Sequence, residues 1–145
     1  MINESITKLV AEWQSNNLVR PGACESELDD FEQFCGVKLP EAFRYLYSLA
    51  DGMDFTMDSR LFNLWSLDRI RGNNGVVKNA DTTRICFGDF LIDSHRYYLV
   101  SRPAGDELVV VDEPDETVAL SFAEFGVLIL NDPERVRLPS PGSLD

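Results

Sequence analysis

Four short β-rich segments follow one another late in the chain: "RICF" (84–87), "RYYLV" (96–100), "ELVVVD" (107–112) and "ETVAL" (116–120). Only the turn-forming stretches "PAGD" and "EPD" separate the last three. Spacing this close, with no helix between, favours antiparallel pairing over parallel βαβ units. "LVVV" (108–111) is apolar on both faces, the pattern of a central strand covered by helices.

Helical patterns flank these strands. Ile6, Leu9, Val10 and Trp13 recur at i, i+3, i+4 and i+7, an amphipathic helix broken by "RPGA" (20–23). In "CESELDDFEQFCG" (24–36), Leu28 and Phe31 form an apolar stripe with Phe34 or Cys35. Glu25, Asp29 and Glu32 share another face, and Gly36 is a natural stop. A short third helix is predicted between Pro40, placed at the first helical position, and Gly52, placed in the left-handed cap. Its inward face is Phe43, Leu46, Tyr47 and Ala50. "RLFNLWSL" (60–67) is apolar and aromatic, and a polar loop with an Asn-Asn-Gly turn signal follows it.

The last helix opens at "SFAE", where Ser121 and Glu124 have the spacing of a capping box. Phe122, Phe125, Leu128 and Ile129 are its inward residues. Together these patterns predict an α+β fold, with N-terminal helices and one C-terminal helix packed on a mostly antiparallel sheet. At 145 residues the length predicts one domain, assigned to residues 1–138, with 139–145 fraying as a tail.

The chain carries 25 acidic and 13 basic residues, a net charge of −12. Their distribution is uneven. Residues 21–59 hold nine acids against two bases, and 103–145 ten against two, whereas 60–102 hold seven bases against four acids. Without a basic stripe, direct nucleic-acid binding is not expected, and a basic protein partner suits the field better. No apolar run is long enough to span a bilayer, and the N-terminus has no secretory pattern. Cys24, Cys35 and Cys86 are odd in number and show no paired C-x-x-C spacing, so they read as reduced thiols of a cytoplasmic protein.

Catalytic and metal chemistry find little support. Asp93 and His95 would share a strand face, and Cys86 could lie on a neighbouring strand as a nucleophile. Yet no nucleophile motif flanks Cys86, and in "RICF" it reads as a small buried hydrophobe. "DEPDE" (112–116) lacks the alternating ligands and central glycine of a calcium loop, and "RGNNG" lacks the lysine of a phosphate loop. The expectation is no catalytic residue, no metal and no cofactor. Trp65 is assigned to the core, and Tyr97 and Tyr98, as strand neighbours, must face opposite ways.

With these elements placed, the sequence resembles the SUKH superfamily, which takes in bacterial immunity proteins and fungal cell-wall assembly regulators of the Smi/Knr type. Four pieces carry the resemblance in order over about residues 20–131: "LDDFEQFCGVK", "LPEAFRYLYSLADG", "LFNLWSLDRI", and "ICFGDF" leading through strands to "VALSFAEFGVLIL". The resemblance implies helices packed on a mostly antiparallel sheet, and function by stoichiometric protein binding without catalysis. It implies an immunity protein that neutralises a cognate secreted or contact-delivered toxin, expected to be a basic nuclease-type effector, by steric and electrostatic blocking. The alternative is a non-enzymatic scaffold of the cell-wall assembly type. Charge distribution nominates the docking residues: Glu25, Asp29, Glu32, Asp51, Asp54, Asp58, Asp106, Asp112, Glu113, Asp115 and Glu116. A monomer or weak homodimer is expected.

Overall fold

The computed structural model describes residues 3–54, 56–91, 95–102, 106–112 and 116–136. The elements run α1 (Glu4–Ser15), β1 (Val19–Pro21), α2 (Glu25–Cys35), α3 (Glu41–Leu49), β2 (Ala50–Met53), β3 (Phe62–Leu64) and α4 (Leu67–Gly72). They continue β4 (Val76–Lys78), β5 (Thr83–Phe90), β6 (His95–Ser101), β7 (Glu107–Val111), β8 (Glu116–Ala119) and α5 (Phe122–Asn131), then a 3-10 turn at Pro133–Val136. The closely spaced strands pair as their spacing requires. The main sheet has the order β3-β5-β6-β7-β8, with β4 also on β5, and each pairing is antiparallel. The fold is α+β, with helices on an antiparallel sheet, as the sequence predicts.

Register decides what the helices meet. Leu99 lies opposite both Ile85 and Val109, and Tyr97 opposite Val111; all five are buried on one face. That face receives α5. Phe87 meets Phe122 and Phe125 edge-on at 5.0 and 5.2 Å, and Tyr97 meets Phe125 at 5.0 Å. Phe43 of α3 closes on Phe122 at 5.1 Å, so α3 and α5 share one aromatic layer. Each such pair adds about 0.5–1.5 kcal/mol beyond its area burial. Tyr98, next to Tyr97, points to the other face and is half-buried, under the guanidinium of Arg84.

Helix phases hold where the apolar period is strong. Ile6, Leu9, Val10 and Trp13 are all buried, as are Phe43, Leu46, Tyr47 and Ala50. In α2 the stripe closes with buried Cys35, and Phe34 is left 40% exposed. Ser121 Oγ accepts from Glu124 N at 3.0 Å, as a capping box would have it. Glu124, however, reaches past Ser121 to Leu120 N, while Glu107 of β7 accepts from Phe122 N at 2.8 Å.

The ends of α3 differ from expectation. Pro40, at φ −58° and ψ 146°, is the extended residue before the helix, and Glu41 is the first helical one. Nor does Gly52 cap α3. The helix stops at Leu49 and the chain enters β2 directly, with Gly52 inside that strand at φ +82°. A Cβ there would lie 2.3 Å from the Ser66 backbone nitrogen. The glycine thus lets two backbones approach, in a conformation that L side chains rarely adopt.

Among the elements unmarked in the sequence are β1, α4 and β4, the last within the same polar stretch as α4. β1 forms within the stretch read as a break, by pairing with β2. α4 forms within the stretch read as a polar loop. Ser66 Oγ accepts from Arg69 N at 3.1 Å, and Asp51, distant in sequence, accepts from Leu67 N at 2.9 Å. Tyr47 donates its hydroxyl to Trp65 O at 2.6 Å, tying α3 to the same segment.

Candidate protein-binding groove

The start of α3 sits in a groove. Gly36, at φ +73°, ends α2 and turns the chain outward. Glu32 then accepts from Leu39 N at 2.6 Å and Leu39 is buried, so the short connection is pinned before Pro40 redirects it. Glu41 follows, exposed at the N-terminus of α3. It lines three clefts, which share lining residues and are taken together as one groove. The largest, about 500 Å³, lies between the α2–α3 connection and the facing ends of β6 and β7, at Lys38, Arg102 and Glu107. The middle one, about 290 Å³, runs past Asn3, Ala42 and Ala123. The last, about 370 Å³, is bounded by Glu25, Leu28, Arg44 and Tyr45.

Arg44 pairs with Asp29 at 2.7 Å and with Glu32 at 3.6 Å, and Arg102 with Asp106 at 2.8 Å. The lining and its paired partners thus set six carboxylates (Glu25, Asp29, Glu32, Glu41, Asp106, Glu107) against three cations (Lys38, Arg44, Arg102), a net of −3. Asp29 and Asp106 are exposed enough that their pairs contribute little to stability, which leaves these two carboxylates open to exchange partners.

The eleven acidic residues nominated by charge divide into groups. Glu25, Asp29, Glu32 and Asp106 come together around this groove. Asp51 holds the first N–H of α4, and burial raises its carboxyl above the usual range. Asp112 accepts from Arg96 N at 2.9 Å. Asp54 and Glu116 are exposed but line none of the three clefts. Glu113 and Asp115 lie outside the described residues.

Asp58 requires correction. It is 5% exposed, accepts from Trp13 Nε1 at 2.8 Å and from the backbone N–H of Arg60 and Phe62, and pairs with the Arg60 guanidinium at 3.2 Å. A carboxylate so enclosed cannot face a docking partner. Glu41 and Glu107, by contrast, were not nominated. Glu41 could have been found as the acid directly after the Leu-Pro pair; Glu107, at the start of β7, had no local signal.

The cysteine chemistry is closed off. Burial is the main cause that pushes the Cys35 and Cys86 thiols up to about 12. Cys86 lies opposite Tyr98, three residues along β6 from His95, or about 10 Å of strand. Asp93 lies outside the described residues. Among the described residues no group of three or more His, Cys, Asp or Glu could hold a metal ion, and no helix is long and apolar enough to cross a membrane. With the Cys35 and Cys86 thiols buried and held protonated, a disulfide reagent should titrate one thiol per native chain, the exposed Cys24. Denaturant should raise the count to three. More than one fast-reacting thiol in the native protein would contradict the burial.

A protein-family model described as the SMI1 / KNR4 family (SUKH-1) matches residues 22–127. The chain belongs to this family. A comparison with curated proteins returned no match. SUKH-1 membership supports a role of the immunity or Smi1/Knr4-like kind, in a family of generally non-catalytic immunity and regulatory proteins. The SUKH-1 segment contains each lining residue of the groove except Asn3.

Proposed function

We propose that this SUKH-1 chain is an immunity protein that binds a cognate secreted or contact-delivered toxin and covers its working surface. The groove across the start of α3 carries the reading. Its lining balances Glu25, Glu41 and Glu107 against Lys38, Arg44 and Arg102, and the carboxylates paired to the two arginines (Asp29, Glu32 and Asp106) bring the net charge to −3, on a family fold of generally non-catalytic proteins. A nuclease-type toxin must hold a polyanion and is therefore basic where it works. An acidic groove competes for that surface, and steering by opposite charge accelerates encounter. The protein acts in the cytoplasm, as a monomer or weak homodimer.

The test is to inspect the neighbouring reading frame for a secreted protein with a C-terminal toxin domain and to co-express that domain with this chain, which should restore growth. With purified components, the association rate should fall by about tenfold or more between 15 and 150 mM salt, while dissociation changes little. A salt-insensitive association rate would remove the electrostatic part. Absence of binding and of rescue would remove immunity and leave the scaffold reading.

A further inference from the structure

The carboxylates of the groove are not equally engaged. Glu32 accepts from Leu39 N and pairs with Arg44, and Asp29 pairs with the same arginine. Asp106 pairs with Arg102, and Glu107 accepts from Phe122 N. Glu25 and Glu41 differ. Both are exposed, and neither has a hydrogen bond or ion pair among the described residues.

These two carboxylates line one cleft, of about 370 Å³. Arg44, the cation of its described lining, is already held by Asp29 and Glu32. Buried Leu28 and half-buried Tyr45 give the cleft an apolar wall, and the Tyr45 hydroxyl is tied to Thr7 Oγ1 of α1 at 2.6 Å. Glu41 also lines the middle cleft, where Glu107 is the other charged residue of the described lining. Helix ends explain part of this. Glu25 and Glu41 stand in the first turns of α2 and α3, where a negative charge suits the positive pole. Yet α2 already has Glu27 at that pole, accepting from Cys24 N at 3.0 Å. Nor does a helix pole explain why two unpaired carboxylates share a cleft with an apolar wall.

We infer that this cleft receives a long basic side chain of the partner, its charge held by Glu41 and Glu25 and its aliphatic stem lying against Leu28 and Tyr45. This rests on the reading of the groove as the toxin-binding face and names the residue class that enters it. The other groove acids contribute to the field that steers the partner, while Glu41 and Glu25 make the contact.

The experiment needs no toxin. An acetylated and amidated Gly-Arg-Gly peptide is titrated into the full isotope-labelled chain at about 150 mM salt, with binding followed by amide shifts. Saturable shifts should cluster around Glu25, Glu41 and Tyr45. Glu41→Gln and Asp106→Asn each remove one negative charge from the groove, so a diffuse acidic field weakens binding equally in both. The contact instead requires a loss of about fivefold for Glu41→Gln and Glu25→Gln, against less than about twofold for Asp106→Asn. Spectra of the free variants check that each keeps its fold. Equal effects of Glu41→Gln and Asp106→Asn, shifts spread over the whole acidic surface, or no binding overturn the contact and leave the toxin reading to its co-expression test. Localised binding that depends on Glu41 supports the contact even where co-expression gives no rescue, a result that removes the toxin alone.

Discussion

Replacing Asp58 with alanine should lower the unfolding free energy by about 3–5 kcal/mol, a large part of the total for a domain of this size. The carboxylate serves four donors at once: Trp13 Nε1 at 2.8 Å, Arg60 N at 2.8 Å, Phe62 N at 3.1 Å and the Arg60 guanidinium at 3.2 Å. Trp13 and Phe62 are buried, so water cannot readily replace the lost acceptor, and each unsatisfied donor costs about 1–3 kcal/mol. Arg60 loses its pairing with Asp58 but keeps Glu12. Asp58→Asn should therefore cost less than alanine, because the amide oxygen still accepts while the ion pair is gone. Urea unfolding of both variants measures this. A loss under about 1 kcal/mol for alanine would mean that Asp58 is not the enclosed hub described above.

Gly52→Ala should cost about 2–5 kcal/mol, through a left-handed backbone and a methyl group forced against the Ser66 backbone. The informative comparison is Gly52→Asn. A glycine at an ordinary helix cap is often replaceable by asparagine, which tolerates the left-handed region. Here the obstacle is also the Cβ, which asparagine shares, so Gly52→Asn should be at least as damaging as Gly52→Ala. If thermal melts showed asparagine restoring near-native stability, the cap reading would stand and the close approach to Ser66 would not.

These two positions mark where the sequence was readable and where it was not. Local periodicity was readable. The apolar phases of α1 and α3 and the antiparallel pairing of the closely spaced late strands each depend on residues near one another in the chain. Partners brought from afar were not. β1 has only three residues and forms because β2 supplies its pairing, and one cap of α4 comes from Asp51. Gly52 looked like a cap because it follows a helix, while the reason for a glycine lies at Ser66.

The acidic site suffered most from this. A carboxylate that holds backbone N–H groups and one that faces a groove look alike in a charge count. Asp51, Asp58 and Asp112 are of the first kind, whereas Glu25 lines the groove and Asp29 pairs with its Arg44. Glu41 and Glu107 joined the groove because the α2–α3 connection meets the ends of β6 and β7, a meeting that tertiary packing alone creates.

The helix α1 lies outside the 22–127 stretch matched by the family, yet its indole stacks on Phe62 and its Trp13 N–H is held by Asp58, both inside that stretch. A polypeptide trimmed to the shared stretch would keep its recognisable motifs and lose a wall of its interior. Phe62 would gain a wet side, and the acid at position 58 would be left without its indole donor. The limits of sequence kinship and the limits of what can stand upright as a folded body are, in this chain, two different borders.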